Sequence, residues 1–217
     1  MKIKLFLIAF IAFQFSYAQN FKFGKVSKEE LLQKEHPLES SANAAVLYRE
    51  YETHFEYSTE EGFFVYTDVY ERIKIYNKEG FNKATKTINL YQGKGNVNVS
   101  TSGLKAYTYI LGSSDKIEKI KLKSDGIFEE EINTHYNQKK FTMPNLVEGC
   151  VIEYKYSIRS PYVRYLEEYK FQEGIPVNEV NLSFRSPEYL VYKTHKKGWL
   201  DFKIQKDGQE RTLEYSY

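Results

Sequence analysis

The sequence predicts an all-β chain, an antiparallel two-sheet β-sandwich with a short N-terminal helix. Three observations predict it. From Val46 onward, apolar and polar residues alternate with period two in run after run, the pattern of strands buried on one face. Short turn signals part the runs: TEEG at 59–62, NKEG at 77–80, GSSD at 112–115 and KDGQ at 206–209, the chemistry of hairpin connections. Twenty Tyr and 15 Phe against one Trp add β propensity without helix-forming bulk.

The elements follow in order. "VSKEELLQKEHP" is the helix, because Ser27 with Glu30 three residues later forms a capping box in which each side chain satisfies a free backbone donor. Pro37 ends that segment and holds His36 extended. "YETHFEYS" and "FFVYTDVYERIKIY" form the first hairpin. In its second arm Val65, Thr67, Val69, Ile73 and Ile75 share the core face, and Tyr66, Asp68, Tyr70, Arg72, Lys74 and Tyr76 share the other. "ATKTINLY", "LKAYTYIL", "KIEKIKL", "FTMPN", "CVIEYKYSI", "RYLEEYKFQ", "VNEVNLSFR" and "YLVYKTH" read as further strands. "DFKIQ" and "RTLEYSY" flank an Asp-Gly turn as a last hairpin. Tyr217 falls inside an alternating run, whereas domains end in loose polar segments, so the chain is expected to continue.

The first eighteen residues, "MKIKLFLIAFIAFQFSYA", have the order of a secretory leader: Lys2 and Lys4, an apolar stretch, then Ser16-Tyr17-Ala18. The stretch is too short to span a bilayer of about 30 Å. Residues 1–18 are therefore expected to leave, with 19–45 as an N-terminal segment and 46–217 as the sandwich. Losing two lysines brings Lys and Arg from 31 to 29 against 29 Asp and Glu. A neutral mature chain gives no electrostatic case for nucleic acid or an anionic membrane. The expected location is periplasm or extracellular space, with no membrane insertion after cleavage.

Cys150 is the single cysteine, so no internal disulfide holds the fold. It shares a strand face with Ile152, Tyr154, Tyr156 and Ile158, and neither a helix N-terminus nor a nearby His favours its thiolate. A buried core cysteine is the expected state. His36, His54, His135 and His195 show no metal spacing, and no D-x-D-x-D-G loop offers calcium. There is no G-x-S-x-G, P-loop or G-x-G-x-x-G. No catalytic residue, cofactor or metal ligand is assigned. A carboxylate pair among the strand glutamates stays open. Tyr66, Tyr70, Tyr107 and Tyr109 fall on polar strand faces, as β formers over a second half-covered face or as a surface for peptide or glycan.

The stretches "FKFGKVSKEEL", "YERIKIYNKEGF", "LKAYTYIL", "IFEEEIN", "KKFTMPNLVEGCVIEYKYSIRSPY" and "FQEGIPVNEV", in that order, resemble the N-terminal domain of unknown function that precedes a transglutaminase-like domain in secreted bacterial proteins. The resemblance runs from Phe21 to about His195. It implies a β-sandwich, export and a Gram-negative host. The companion domain would carry a Cys-His-Asp triad, which no residue here matches. The expected role is a non-catalytic exported module supporting or positioning substrate for such a C-terminal domain of the same polypeptide. A stand-alone glycan- or peptide-binding module is a second reading, and an enzyme centred on Cys150 or a carboxylate pair a third.

Overall fold

A computed structural model describes residues 21–94, 97–198, 201 and 203–208. The predicted leader and the second arm of the last hairpin lie outside the described residues.

Among the described residues, helix α1 (Lys28–Leu32) precedes nine strands: β1 (Ala44–Ser58), β2 (Gly62–Ile75), β3 (Thr85–Tyr91), β4 (Ser100–Leu111), β5 (Ile117–Lys121), β6 (Ile127–Asn133), β7 (Tyr136–Thr142), β8 (Val151–Ser160) and β9 (Val180–Phe184). A 3₁₀ turn, Lys78–Ala84, carries the chain from β2 to β3. The strands form a six-stranded sheet in the order β5-β4-β8-β2-β1-β9 and a three-stranded sheet in the order β3-β7-β6. The predicted antiparallel two-sheet sandwich is present, with one exception. β9 pairs with β1 in parallel, which requires a long crossover, and residues 161–179 supply it. The runs "RYLEEYKFQ" and "YLVYKTH", expected as strands, are irregular.

Period two explains the core. Val69, Ile73 and Ile75 of β2, Ile152, Tyr154 and Tyr156 of β8, and Ile88, Leu90 and Phe141 of the small sheet are buried together between the layers. Cys150 belongs to the same cluster.

The other face of the large sheet departs from the expected solvated pattern. Residues 21–33 lie across it, and Val26 and Leu31 pack on Tyr109 and Val151 in a second small core. Arg72 and Lys74 are consequently buried. The capping box is formed: Glu30 N–H donates to Ser27 Oγ at 3.2 Å, and Ser27 N–H donates to Glu30 Oε2 at 2.6 Å. Helix α1 ends at Leu32, well before Pro37. His36 is buried beside the crossover, Nε2 against Asn178 Oδ1 at 2.9 Å. The lysine-rich β5 is an edge strand, where positive charge opposes edge-to-edge pairing.

Candidate functional site

Three of the four tyrosines singled out by the sequence meet under the N-terminal segment. The Tyr109 hydroxyl donates to Glu153 Oε1 at 2.5 Å and the Tyr70 hydroxyl to Glu153 Oε2 at 3.1 Å. Tyr107 lies beside Phe23, with centroids 5.8 Å apart, and under the Lys119 ammonium at 3.9 Å. Tyr70 and Tyr109 are buried and so form no open binding face. Period two placed them on the outward face, and residues 21–33 then covered that face. Burial and the adjacent Glu153 raise the pKa of both phenols. Tyr66 stands apart, stacked on His54 at 5.3 Å and accepting from Arg159 Nε at 3.2 Å.

Glu153 organises this cluster. Besides the two phenols it accepts from Gly24 N–H at 2.6 Å and from Arg72 Nε and Nη2 at 3.2 and 3.0 Å. Arg72 also donates to Glu30 Oε1 at 2.8 Å and to the Lys22 carbonyl at 2.9 Å. The capping glutamate of α1 thus also binds an arginine on the sheet. Lys74 donates to the carbonyls of Leu31 and Gly149 at 2.8 and 2.6 Å. Burial pulls its pKa down to about 8.

A second ionic cluster lies on the inner face of the sheet. Arg49 donates to Glu71 at 2.7 Å, to the Lys170 carbonyl at 2.9 Å and to Glu173. Burial alone would raise the Glu71 carboxyl, but Lys86 and Arg49 outweigh it and the net shift is downward. Glu173 and the Tyr169 hydroxyl, 2.7 Å from Thr53 Oγ1, anchor the crossover on β1.

Cys150 is 1% exposed. Burial raises its thiol, against the smaller opposing effects of backbone hydrogen bonding at Val147, which favours the thiolate, and of the Lys74 charge. Gly149 before it has φ of +79°, a left-handed turn that a side chain would strain. Among the described residues, no group of three or more His, Cys, Asp and Glu could hold a metal ion. Among them, too, no helix is long and apolar enough to cross a membrane.

Sequence reasoning missed the outer face of the small sheet. Tyr91, Tyr136, Phe128 and Ile132 are exposed there. A shallow concavity of about 260 Å³ is lined by Asn89, Ile132, Asn133, Tyr136 and Gln138. Alternation in "TKTINLY" and "YNQKKFT" carried the signal, since Ile88, Leu90 and Phe141 point inward and leave Asn89, Tyr91 and Gln138 outward. A second concavity, of about 210 Å³, opens beside the 3₁₀ turn at Asn43, Glu79, Asn82 and Lys83.

Residues 65–217 match a family described as a domain of unknown function with a solved structure, DUF3857. No curated protein matches the chain. Among solved structures it is similar to a protein described as a "putative protease" from Parabacteroides distasonis, at 16% identity and a TM-score of 0.49 over 67% of this chain. The matched region is 29% of that protein's length.

Proposed function

Because the chain belongs to the DUF3857 family, whose function is unknown, we propose its role from the chemistry its own side chains leave free. It is a non-catalytic module of an exported protein, and it supports or positions substrate for a transglutaminase-like domain of the same polypeptide. The observation that supports this reading is the commitment of its reactive groups to structure. Catalysis needs a nucleophile or a proton-transfer group within reach of substrate. Here the Cys150 thiol is buried among Ile152, Tyr154 and their neighbours. Glu153 and Glu71 are buried and hold arginines within 3.2 Å. The leader pattern supports export, and the order of the quoted stretches supports the companion domain.

Two measurements test the reading. The native protein, purified from its host, is expected to begin at Gln19 and to have a mass above that of residues 19–217. A native protein ending at Tyr217 removes the companion domain from the proposal. In the longer polypeptide, Cys150→Ala is expected to leave amide hydrolysis or acyl transfer at its wild-type kcat. Loss of turnover in a Cys150→Ala variant with an unchanged fold moves the chemistry into this chain.

A further inference from the structure

We propose that the outer face of the three-stranded sheet is a binding site for neutral saccharides, with Tyr136 as its stacking ring and the Asn89–Gln138 amide pair as its hydrogen-bonding group. This goes beyond the supporting role and stands whether or not a transglutaminase-like domain follows.

The site is built by register. Tyr91 and Tyr136 are cross-strand partners, and Asn89 and Gln138 are partners one row along on the same face. Gln138 Nε2 donates to Asn89 Oδ1 at 2.9 Å. That bond uses one donor of Gln138 and one lone pair of Asn89. The Asn89 NH₂ and the Gln138 carbonyl oxygen keep their capacity, so a donor and an acceptor stand side by side. Adjacent hydroxyls of a sugar ring each donate and accept, and they match such a pair.

The aromatic part is held in place before any ligand arrives. The Tyr91 ring meets Tyr136 edge-on at 5.4 Å and Tyr162 edge-on at 5.1 Å. The Tyr162 hydroxyl donates to the Val97 carbonyl at 2.7 Å. Gly93 makes this approach possible, because a Cβ there would lie 1.9 Å from the Tyr162 hydroxyl oxygen. Tyr136 remains 44% exposed, so its ring is fixed on one side by Tyr91 and still open to a ligand. An ordered ring loses little entropy on binding.

Charge and backbone select the ligand class. One carboxylate, Glu130, pairs across from Gln138, and one ammonium, Lys140, lies two residues along β7. The two cancel, which favours a neutral ligand over a uronic acid or a phosphorylated one. A peptide adds to a sheet at an unpaired edge, whereas this concavity lies over β7, which is paired on both sides. At about 260 Å³ it falls just below the roughly 300–1,000 Å³ of drug-sized pockets, a scale suited to one or two sugar rings.

The test is titration calorimetry of the protein with soluble cello-, laminari- and manno-oligosaccharides, a galacturonic acid oligosaccharide and an unstructured neutral peptide. At least one neutral oligosaccharide is expected to bind with Kd on the order of 0.1–1 mM. Tyr136→Ala is expected to weaken it at least tenfold and Gln138→Ala severalfold, with circular dichroism unchanged. Tyr107→Ala, on the other sheet, is expected to leave it unaltered. If Tyr136→Ala misfolds, Gln138→Ala and Asn89→Ala decide alone. The proposal is overturned by absence of saturable binding across the neutral panel. Binding that survives both amide variants, or preference for the peptide or the acidic oligosaccharide, overturns it equally.

Discussion

Glu71 and Arg72 are consecutive residues of β2 and point to opposite faces of the sheet, yet both side chains are buried in ion pairs. Each pairs with the residue directly across from it: Glu71 with Arg49 of β1 at 2.7 Å, and Arg72 with Glu153 of β8 at 3.0 Å. A strand buried on one face should carry one such residue outward. Here the N-terminal segment covers one side, and the small sheet and the crossover cover the other. The two pairs act as the points where those coverings attach.

On the Arg72 side, Glu153→Ala takes one of two carboxylates from a buried guanidinium, leaving it Glu30 and the Lys22 carbonyl, and removes the acceptor for Gly24 N–H, Tyr70 and Tyr109. Breaking a buried pair costs about 3–5 kcal/mol, and that loss is expected in urea denaturation. Cleavage after Lys22 or Lys25 by trypsin should accelerate under native conditions as residues 21–33 lift. Replacing both partners, Arg72→Met with Glu153→Leu, should cost less than the sum of the two single changes, since their mutual interaction is lost once rather than twice, yet stay below wild type because Glu30, Gly24 N–H and both phenols lose a partner. If the double variant is as unstable as the sum of the singles, the two residues do not act as a pair.

On the Arg49 side the consequence is acid sensitivity. The folded carboxyl of Glu71 titrates below its ordinary value of 4.5. An unfolded chain therefore binds the proton first as pH falls. The stabilisation is fully present above about pH 4.5, and it fades as pH drops through the folded value. Denaturation midpoints of wild type and Glu71→Gln should differ most at pH 6–7 and converge on acidification. A difference that stays constant to pH 2 would show that Glu71 is not ionised in the fold.

How much of this was legible in the sequence follows from the range of each interaction. The capping box at Ser27 and Glu30, the hairpin β1–β2 and the core face of Val69, Ile73 and Ile75 are set within a few residues, and period or spacing shows them. The burial of Tyr70, Arg72 and Lys74 depends on a segment some 40 residues earlier folding back over the sheet. Alternation has no term for that cover, so these residues read as solvated. The crossover misled for a related reason. "RYLEEYKFQ" alternates like a strand, but Tyr169 and Glu173 spend their polar groups on Thr53 and Arg49 rather than on a ladder. The small-sheet face was visible in parity, but parity alone does not say which outward tyrosines stay uncovered.

Cys150 offers a kinetic test of core integrity. Its thiol is 1% exposed and its pKa is raised by burial, so both access and thiolate fraction are low. Ellman's reagent at pH 7.5 should label it only when denaturant opens the sandwich. Cys150→Ser should cost roughly 1–3 kcal/mol if the hydroxyl finds no acceptor, and Cys150→Ala less. Stoichiometric labelling of the native protein within seconds would place the thiol at the surface.

Lys74 gives the opposite pH response to Glu71 and can be isolated from its neighbours. Its ammonium meets two carbonyls, and burial lowers its pKa from 10.5 to about 8. Between those values the unfolded chain carries more protons than the folded one. Stability attributable to Lys74 must therefore rise with pH across that window, from a full burial cost below pH 8 to none above 10.5. Other groups oppose this. The raised phenols of Tyr48 and Tyr70 and the raised thiol of Cys150 withdraw stability as the unfolded chain ionises above pH 9–10. The raw profile of the wild type will thus be flattened, and the informative quantity is its difference from Lys74→Met. That variant removes the charge but leaves the Leu31 and Gly149 carbonyls without their donor, so near pH 7 the gain and the loss offset. As Lys74 becomes neutral, the wild type keeps its hydrogen bonds without the burial cost. The difference should then move in its favour by roughly 1–3 kcal/mol between pH 7.5 and 10, read from urea midpoints at closely spaced pH values. A flat difference would mean that the lysine is hydrated and that residues 21–33 do not seal this face of the sheet.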